Sequence, residues 1–583
     1  MVIGCDERND VIGALSDLLE LEMNRLIVVG ALLGAVVANA QTDARQMTAE
    51  EYASRMKAGW LGQMAGVGWG APTEFQYNGR IIPDGEMPAW EPAFINQFYQ
   101  DDLYVEMTFL KSLEDYGWDV SLKQAGIDFA RSGYALWHAN AAGRANLREG
   151  IAPPDSGHPQ FNKHADDIDY QIEADFSGLI APGLPQVPVT LGETFGRIMN
   201  YGDGIYGGQF VGGMYSAAFF ETDPEQIVLA GLECIPAESQ YAECIRDVIA
   251  WWKQHPDDWK AAWALIEAKY NENLDYRKAS CGGAKKTFNI DAKINGAYIV
   301  MGLLYGDRDP DRTIEVATRC GQDSDCNPSS AAGILFTSLG LENIPEKFTA
   351  GLKPETVFSH TEYSFTALLA ISEKLARDAI VRAGGEIRAE GGKETFFIPR
   401  QTAKPTALEQ SWAPGPIANS RYTEAEINEQ IRPHELTDGR TDMAPLVAAF
   451  APGWFIEDCG LEMDPGMRAA YRGRENVLVT HPDDSSTPAV IWREGTIPAN
   501  SQGTLRLTVS HHDGGDWQLI VKFNGEEVLS KPVSADTVTD GWLTVEIDLA
   551  PYAGKTVKAE LLNQPTGWFC EAAYWGEIAL VGL

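Results

Sequence analysis

Apolar residues recur at helical spacing from about residue 48 to residue 375, with Leu103, Met107 and Leu110 at i, i+4, i+7 and a small-residue stripe through Ala331, Ile334, Leu335 and Ser338. The same period runs through 227–230, 251–266 and 294–304. Gly- and Pro-rich stretches at 150–160 and 181–188 separate these runs, which predicts a mostly helical domain with long loops. Beyond about 441 the period becomes two. Leu505, Leu507 and Val509 alternate with polar neighbours, as do Leu519, Val521 and Phe523. Asn524-Gly525 signals a hairpin turn, and further alternation covers 543–549 and 557–561. Several short strands at this spacing predict an antiparallel β-sandwich. The stretch between, 384–440, mixes Gly, Pro and charge and reads as a transition with a strand near 395–399. The expected organisation is therefore 1–40 leader, 41–383 helical domain, 384–440 transition and 441–583 sandwich.

Length and composition fit this division. The 583 residues are 44% hydrophobic and 22% charged, ordinary values for a globular chain of several domains. The net charge of −37 would repel a phosphate backbone, so nucleic acid is not an expected partner. Met23-Asn24-Arg25, an apolar run over 26–38 and Ala38-Asn39-Ala40 read as an export signal cleaved before Gln41. The acidic residues 1–22 fit that signal badly, so translation is expected to start at Met23 and the mature chain to be exported, periplasmic or extracellular, and free of the membrane. Cys234–Cys244 and Cys459–Cys570 are then plausible disulfide pairs.

Candidate chemistry lies in three helical-region motifs. Gln100-Asp101-Asp102 precedes the stripe starting at Leu103. Asp323-Ser324-Asp325-Cys326-Asn327-Pro328 feeds another helix, with Asn327 as the expected N-cap and Pro328 as the first helical residue. Acidic residues there can simply complement the helix dipole. The D-x-D, however, places two carboxylates where capping needs one, and hard cations want oxygens converging from separate segments. Upstream, 62–75 alternates small residues, breaks at Pro72 and ends on Glu74-Phe75. Asp307-Arg308-Asp309-Pro310-Asp311 lacks the Gly and Glu of a calcium-binding EF-hand loop and reads as a turn. The aromatics Trp517, Trp542, Trp568 and Trp575 are mostly expected in the sandwich core, with a sugar platform as the alternative.

In this order the three motifs resemble the ADP-ribosylglycohydrolase family, of the dinitrogen-reductase-activating glycohydrolase type. Gly66 to Glu74 matches its Gly-Asp-Ala-Leu-Gly-x-Pro-x-Glu pattern, Gln100 to Leu103 its Thr-Asp-Asp-Thr, and Gly321 to Ala331 its Gly-x-Asp-Thr-Asp-x-Asn-Ala-Ala. Residues 169–183 and 204–207 resemble it too. The resemblance implies an all-α fold whose cleft holds one or two divalent cations, magnesium or manganese, with calcium also compatible. The implied metal ligands are Asp101, Asp102, Asp323 and Asp325, and the implied catalytic residues Glu74 and Asp102. Gln100 and Leu103 stand where the family has threonines, and Cys326 where a threonine often ligates a second ion. Glu106 and Asp169 could compensate, and Gln100, Glu106, Asp169, Asp175, Tyr206, Cys326 and Asn327 are the candidate substrate contacts. The C-terminal sandwich resembles a galactose-binding-like domain.

Three functions follow as expectations. The first is an exported, metal-dependent glycoside hydrolase acting on a glycan or other external glycoside, including a furanoside. The second is an ADP-ribosyl hydrolase, for which Lys285-Lys286 or Arg319 would meet the diphosphate. The third is a non-catalytic carbohydrate-binding protein with a decayed cleft. Oligomeric state cannot be read from the sequence.

Overall fold

The computed structural model describes residues 44–277, 290–431 and 443–582. The expected leader, Cys281 and Lys285-Lys286 lie outside them. No helix among the described residues is long and apolar enough to cross a membrane.

Helix α1 (Ala49–Gly70) starts where Thr48 Oγ1 accepts the Glu51 amide, and from Ala58 to Gly70 every residue is buried. Two other inner helices lack a polar face. In α4 (Asp203–Ala218) all but one residue are buried, and in α5 (Ala292–Gly306) all are, as befits helices apolar on every side. Helices α2 (Asp101–Tyr116), α3 (His138–Arg148), α6 (Cys326–Leu339) and α7 (Phe365–Arg382) complete the frame used below. The apolar period at 251–266 runs through a break, because Pro256 cannot continue a helix. One helix ends at Gln254, and the next starts at Trp259 with Asp258 capping the Ala261 amide.

The small-residue pattern before Pro72 has a direct structural use. A Cβ on Gly66 would fall 2.2 Å from Pro328 O, and one on Gly70 would fall 2.0 Å from Ser324 O. Helices α1 and α6 therefore pack backbone against backbone, and the end of one lies beside the start of the other.

The strand expected near 395–399 is β3 (Lys393–Ile398), between β2 (Glu386–Glu390) and a strand without a sequence signal, β1 (Arg45–Thr48), in an antiparallel sheet. The chain then crosses the helical domain. Asp155 accepts the amides of Ala418 (2.8 Å) and Ser420 (2.9 Å) and pairs with Arg421 (2.8 Å).

A short helix (Met443–Phe450) precedes two five-stranded antiparallel sheets. One runs β10 (Glu526–Val533), β9 (Trp517–Phe523), β12 (Thr556–Gln564), β7 (Ala489–Thr496), β4 (Phe455–Glu457). The other runs β11 (Leu543–Asp548), β8 (Thr504–His511), β13 (Ala573–Val581), β6 (Arg474–Thr480), β5 (Gly466–Tyr471). The alternating residues Leu505, Leu507, Val509, Leu519, Val521 and Phe523 form the core between them. Asn524 and Gly525 take φ of 52° and 83°, which closes the β9–β10 hairpin as the sequence predicts. Trp517, Trp542 and Trp575 are buried, whereas Trp568 is only half-buried and faces the helical domain.

Neither expected disulfide forms. Cys234, Cys244, Cys459 and Cys570 are all unbonded. The Cys234 thiol points at Pro185 O and Ala230 O while Cys244 points at Lys293 O, so the two face different neighbours.

Candidate active site

Glu74 sits on the turn that ends α1. The Ala71–Thr73 turn carries Pro72, and the loop is stitched to the 321–325 loop by Phe75 N to Gln322 O (3.1 Å), Gln322 N to Tyr77 O (3.3 Å) and Thr73 Oγ1 to Ser324 Oγ (2.9 Å). Close packing of α1 on α6 thereby places Glu74 against the D-x-D. The N-cap of α6 is Asp325, whose Oδ1 accepts the Cys326 amide (2.9 Å), and the helix begins at Cys326 rather than after Asn327. Asn327 instead lies inside the first turn, donating its amide to Asn295 Oδ1 (2.8 Å), and is not in the cavity wall.

Two triads of potential ligand atoms share Asp325. Those of Glu74, Asp323 and Asp325 lie within 4.8 Å of one another, as do those of Asp102, Asp325 and Cys326. Asp101, beside Asp102 at the start of α2, lines the adjoining cavity. Burial, reinforced by these mutual repulsions, raises Glu74, Asp102 and Asp325 well above the usual carboxylate range, and burial pushes Asp323 up to about 7. The Cys326 thiol adjoins Asp102 and Asp323, but no N–H or hydroxyl donor among the described residues meets either oxygen of Asp102 or Oδ1 of Asp323. Buried acceptors are normally satisfied, and charges crowded without cationic partners are normally neutralised. Oxygen donors converging from three segments of the chain therefore fit a hard divalent cation. The Cys326 thiol, kept protonated by burial, adds nothing for such an ion.

The cavity holds about 600 Å³ and lies between the helical domain and the sandwich. Of the candidate substrate contacts, Gln100, Asp169 and Cys326 line it. Asp169 Oδ1 accepts the Asn140 amide (2.9 Å), and burial pushes its carboxyl up to about 7. Glu106 and Asp175 are buried away from the wall. Glu106 accepts the Phe176 amide (2.8 Å), and Asp175 accepts the Ser330 hydroxyl (3.3 Å). Tyr206 is not at the site. Its hydroxyl accepts the Glu409 amide (2.7 Å) and donates to Ala407 O (3.2 Å), anchoring the crossing segment.

Sequence reasoning missed Glu173, His138 and Asn140 in the helical wall, together with Asp464 and Arg468 from the sandwich. Glu173 had a signal, one helical turn after Asp169. The others come together only through the fold. Among the described residues six acidic side chains line the cavity, those of Glu74, Asp101, Asp169, Glu173, Asp323 and Asp464. Among the described residues one guanidinium lines it, that of Arg468, which donates to Asp464 O (2.6 Å) and Met463 O (3.4 Å). Arg319 is occupied elsewhere, by Ile82 O (3.0 Å), Glu315 (2.8 Å) and Asp84.

The helical domain thus frames a carboxylate cluster suited to a cation, with a cavity beside it. The family model for ADP-ribosylglycohydrolase matches residues 48–383, over half the chain, and the chain belongs to that family. It is a hydrolase of a family that is typically dependent on divalent metal, and membership implies a glycosylated or ADP-ribosylated substrate. Similar solved structures include an ADP-ribosylglycohydrolase-related protein complex, with 17% identity over 57% of this chain and 99% of that one and a TM-score of 0.39. CBM35 from Paenibacillus barcinonensis is 14% identical over 23% of this chain and 96% of its own, with a TM-score of 0.17. A CBM4 structure is 13% identical over 23% and 91%, with a TM-score of 0.16. No curated protein matches the chain.

Proposed function

We propose that the chain is a divalent-cation-dependent glycoside hydrolase acting on an uncharged glycan or other glycoside outside the cell. The observation that carries this reading is the lining of the cavity: among the described residues it offers six acidic side chains and one arginine, whose N–H groups turn to carbonyls of its own loop. Among those residues a diphosphate would find few cationic partners, whereas sugar hydroxyls would meet hydrogen-bond acceptors. Asp102, Asp323 and Asp325, with Asp101 and Glu74 adjoining, would hold the cation, magnesium or manganese. Such an ion supplies orientation of vicinal hydroxyls and a water of lowered pKa.

The side chains have separable tasks. Half-buried Glu74 borders both the cation cluster and the cavity, so its carboxyl is in position to exchange a proton with water or with the leaving oxygen. Asp169 and Glu173, on the same wall, orient hydroxyls and add negative potential where an oxocarbenium-like state develops positive charge. The apolar run and Ala-x-Ala of 26–40 support export.

The test is a panel of aryl glycosides and oligosaccharides, set beside ADP-ribosylated protein, assayed with EDTA and then with added manganese. Sugar release that EDTA abolishes and manganese restores supports the reading. Release of ADP-ribose with no sugar released from any glycoside overturns it.

A further inference from the structure

The sandwich sends three loops to the catalytic cavity: 462–468 leading into β5, 512–515 between β8 and β9, and 566–571 between β12 and β13. Each is fixed. Glu571 accepts the amides of Thr566 and Gly567, both at 2.9 Å, and so shapes the turn that carries Trp568 and Phe569. Gly515 lies flat on that turn, since a Cβ there would fall 2.4 Å from Cys570 O. Arg468 clamps the carbonyls of Met463 and Asp464.

The backbone around the cavity is strained on both walls. Met463, Asp464 and Cys570 take φ of 58°, 52° and 51°, and across from them Phe75 and His138 take 50° and 47°. Such conformations cost energy in non-glycine residues and persist only where the surroundings hold them, commonly at binding sites. The domains also interlock at this place. Trp137 of the helical domain packs into the sandwich cluster of Met463, Trp542 and Tyr574, Trp568 packs on the helical core, and the His138 amide donates to Glu462 (3.1 Å). A domain that only tethered the enzyme to its substrate would need none of this at the mouth of the cavity.

We propose that this face of the sandwich is a second-sugar subsite of the cleft. Trp568 and Phe569 supply the apolar surface on which the ring next to the cleaved sugar packs, so the substrate is an uncharged oligosaccharide rather than a lone sugar on a small leaving group. The inference rests on the glycoside reading above and deepens it. Aromatic side chains bury the C–H face of a sugar, while the neighbouring Asp464, ion-paired with Arg144 (3.8 Å), accepts its hydroxyls.

The experiment uses the full chain and its variants Trp568→Ala and Trp568→Phe, with melting temperatures recorded. Substrates are 4-nitrophenyl pentofuranosides and hexopyranosides bearing one sugar, and oligosaccharides of two to four of the same sugars. Trp568→Ala should raise KM for the oligosaccharides about tenfold or more, the worth of one aromatic contact, and by a clearly larger factor than it lowers kcat/KM for single-sugar substrates. Trp568→Phe should retain most of the oligosaccharide KM. Equal losses on both substrate classes, or no change on oligosaccharides, overturn the subsite. If the unaltered protein hydrolyses neither class, the glycoside reading fails, and tryptophan fluorescence titration with the same oligosaccharides decides the subsite. A saturable response that Trp568→Ala removes upholds it, and no saturable response overturns it.

Discussion

In the sandwich, the buried indoles of Trp517 and Trp575 donate to Ser510 O (2.9 Å) and Thr480 Oγ1 (3.0 Å), and the carboxylate of Glu571 accepts two amides. In the helical domain, both oxygens of Asp102 and one oxygen each of Glu106, Asp169, Glu173 and Asp323 are buried with no N–H or hydroxyl donor among the described residues. Both regions have dense apolar cores, so the contrast is not one of packing quality. A fold that needs only stability satisfies its buried acceptors, because each orphan costs roughly 1–3 kcal/mol. Orphans gathered at one place and of one sign are tolerated where a ligand completes them. Asp155 shows the alternative within the helical domain itself, a buried carboxylate that two amides and Arg421 satisfy fully.

Substitutions of the two kinds of carboxylate should separate most sharply. Asp325→Asn keeps a capping oxygen for α6 and removes a shared ligand, so hydrolysis should fall on the order of 100-fold or more with the fold intact. In EDTA the same variant should melt no lower than the unaltered protein, since a crowded charge has gone. A marked drop in that melting temperature would show Asp325 to be structural. Asp155→Ala should do the reverse, losing about 1–3 kcal/mol of stability on denaturant titration while cation affinity stays unchanged.

Gly66→Ala tests the packing that brings the motifs together. Its Cβ would meet Pro328 O at 2.2 Å, so the variant should lose about 1–3 kcal/mol and weaken cation binding as well. Unchanged stability would mean that α1 and α6 can part freely. The smallest effect concerns Glu571, which burial raises from the ordinary 4.5 to about 7. Between those values the folded protein holds a proton that the unfolded chain releases, so stability falls as pH rises through that window. Glu571→Gln should flatten that slope in thermal melts between pH 4.5 and 7.

The helical domain was legible from the period of its apolar residues, and the sandwich from alternation at 505–509 and 519–523 followed by Asn524-Gly525. Strand β1 was not, because Arg45–Thr48 has too few residues to show a period and is a strand only by pairing with β3. The D-x-D and Asp101-Asp102 were visible as motifs, but the residue that caps α6 was not, since Asp325 and Asn327 are both good caps and tertiary packing decides between them. Glu74 was readable as an acidic residue near the site, while its membership of the ligand triad depends on the glycine-mediated approach of α1 to α6. Tyr206 was misread because the chain that its hydroxyl holds lies about 200 residues further on. Asp464, Arg468 and Trp568 carry no motif, and only the docking of two domains puts them in the cavity.

Isothermal titration of manganese into the metal-stripped protein, beside Asp323→Asn and Asp325→Asn, addresses the cation cluster without reference to any substrate. Saturable binding at one or two sites that each variant weakens about 100-fold or more is the expected result. Identical heats from all three proteins, or no binding to any of them, would contradict the assignment of these carboxylates to a cation.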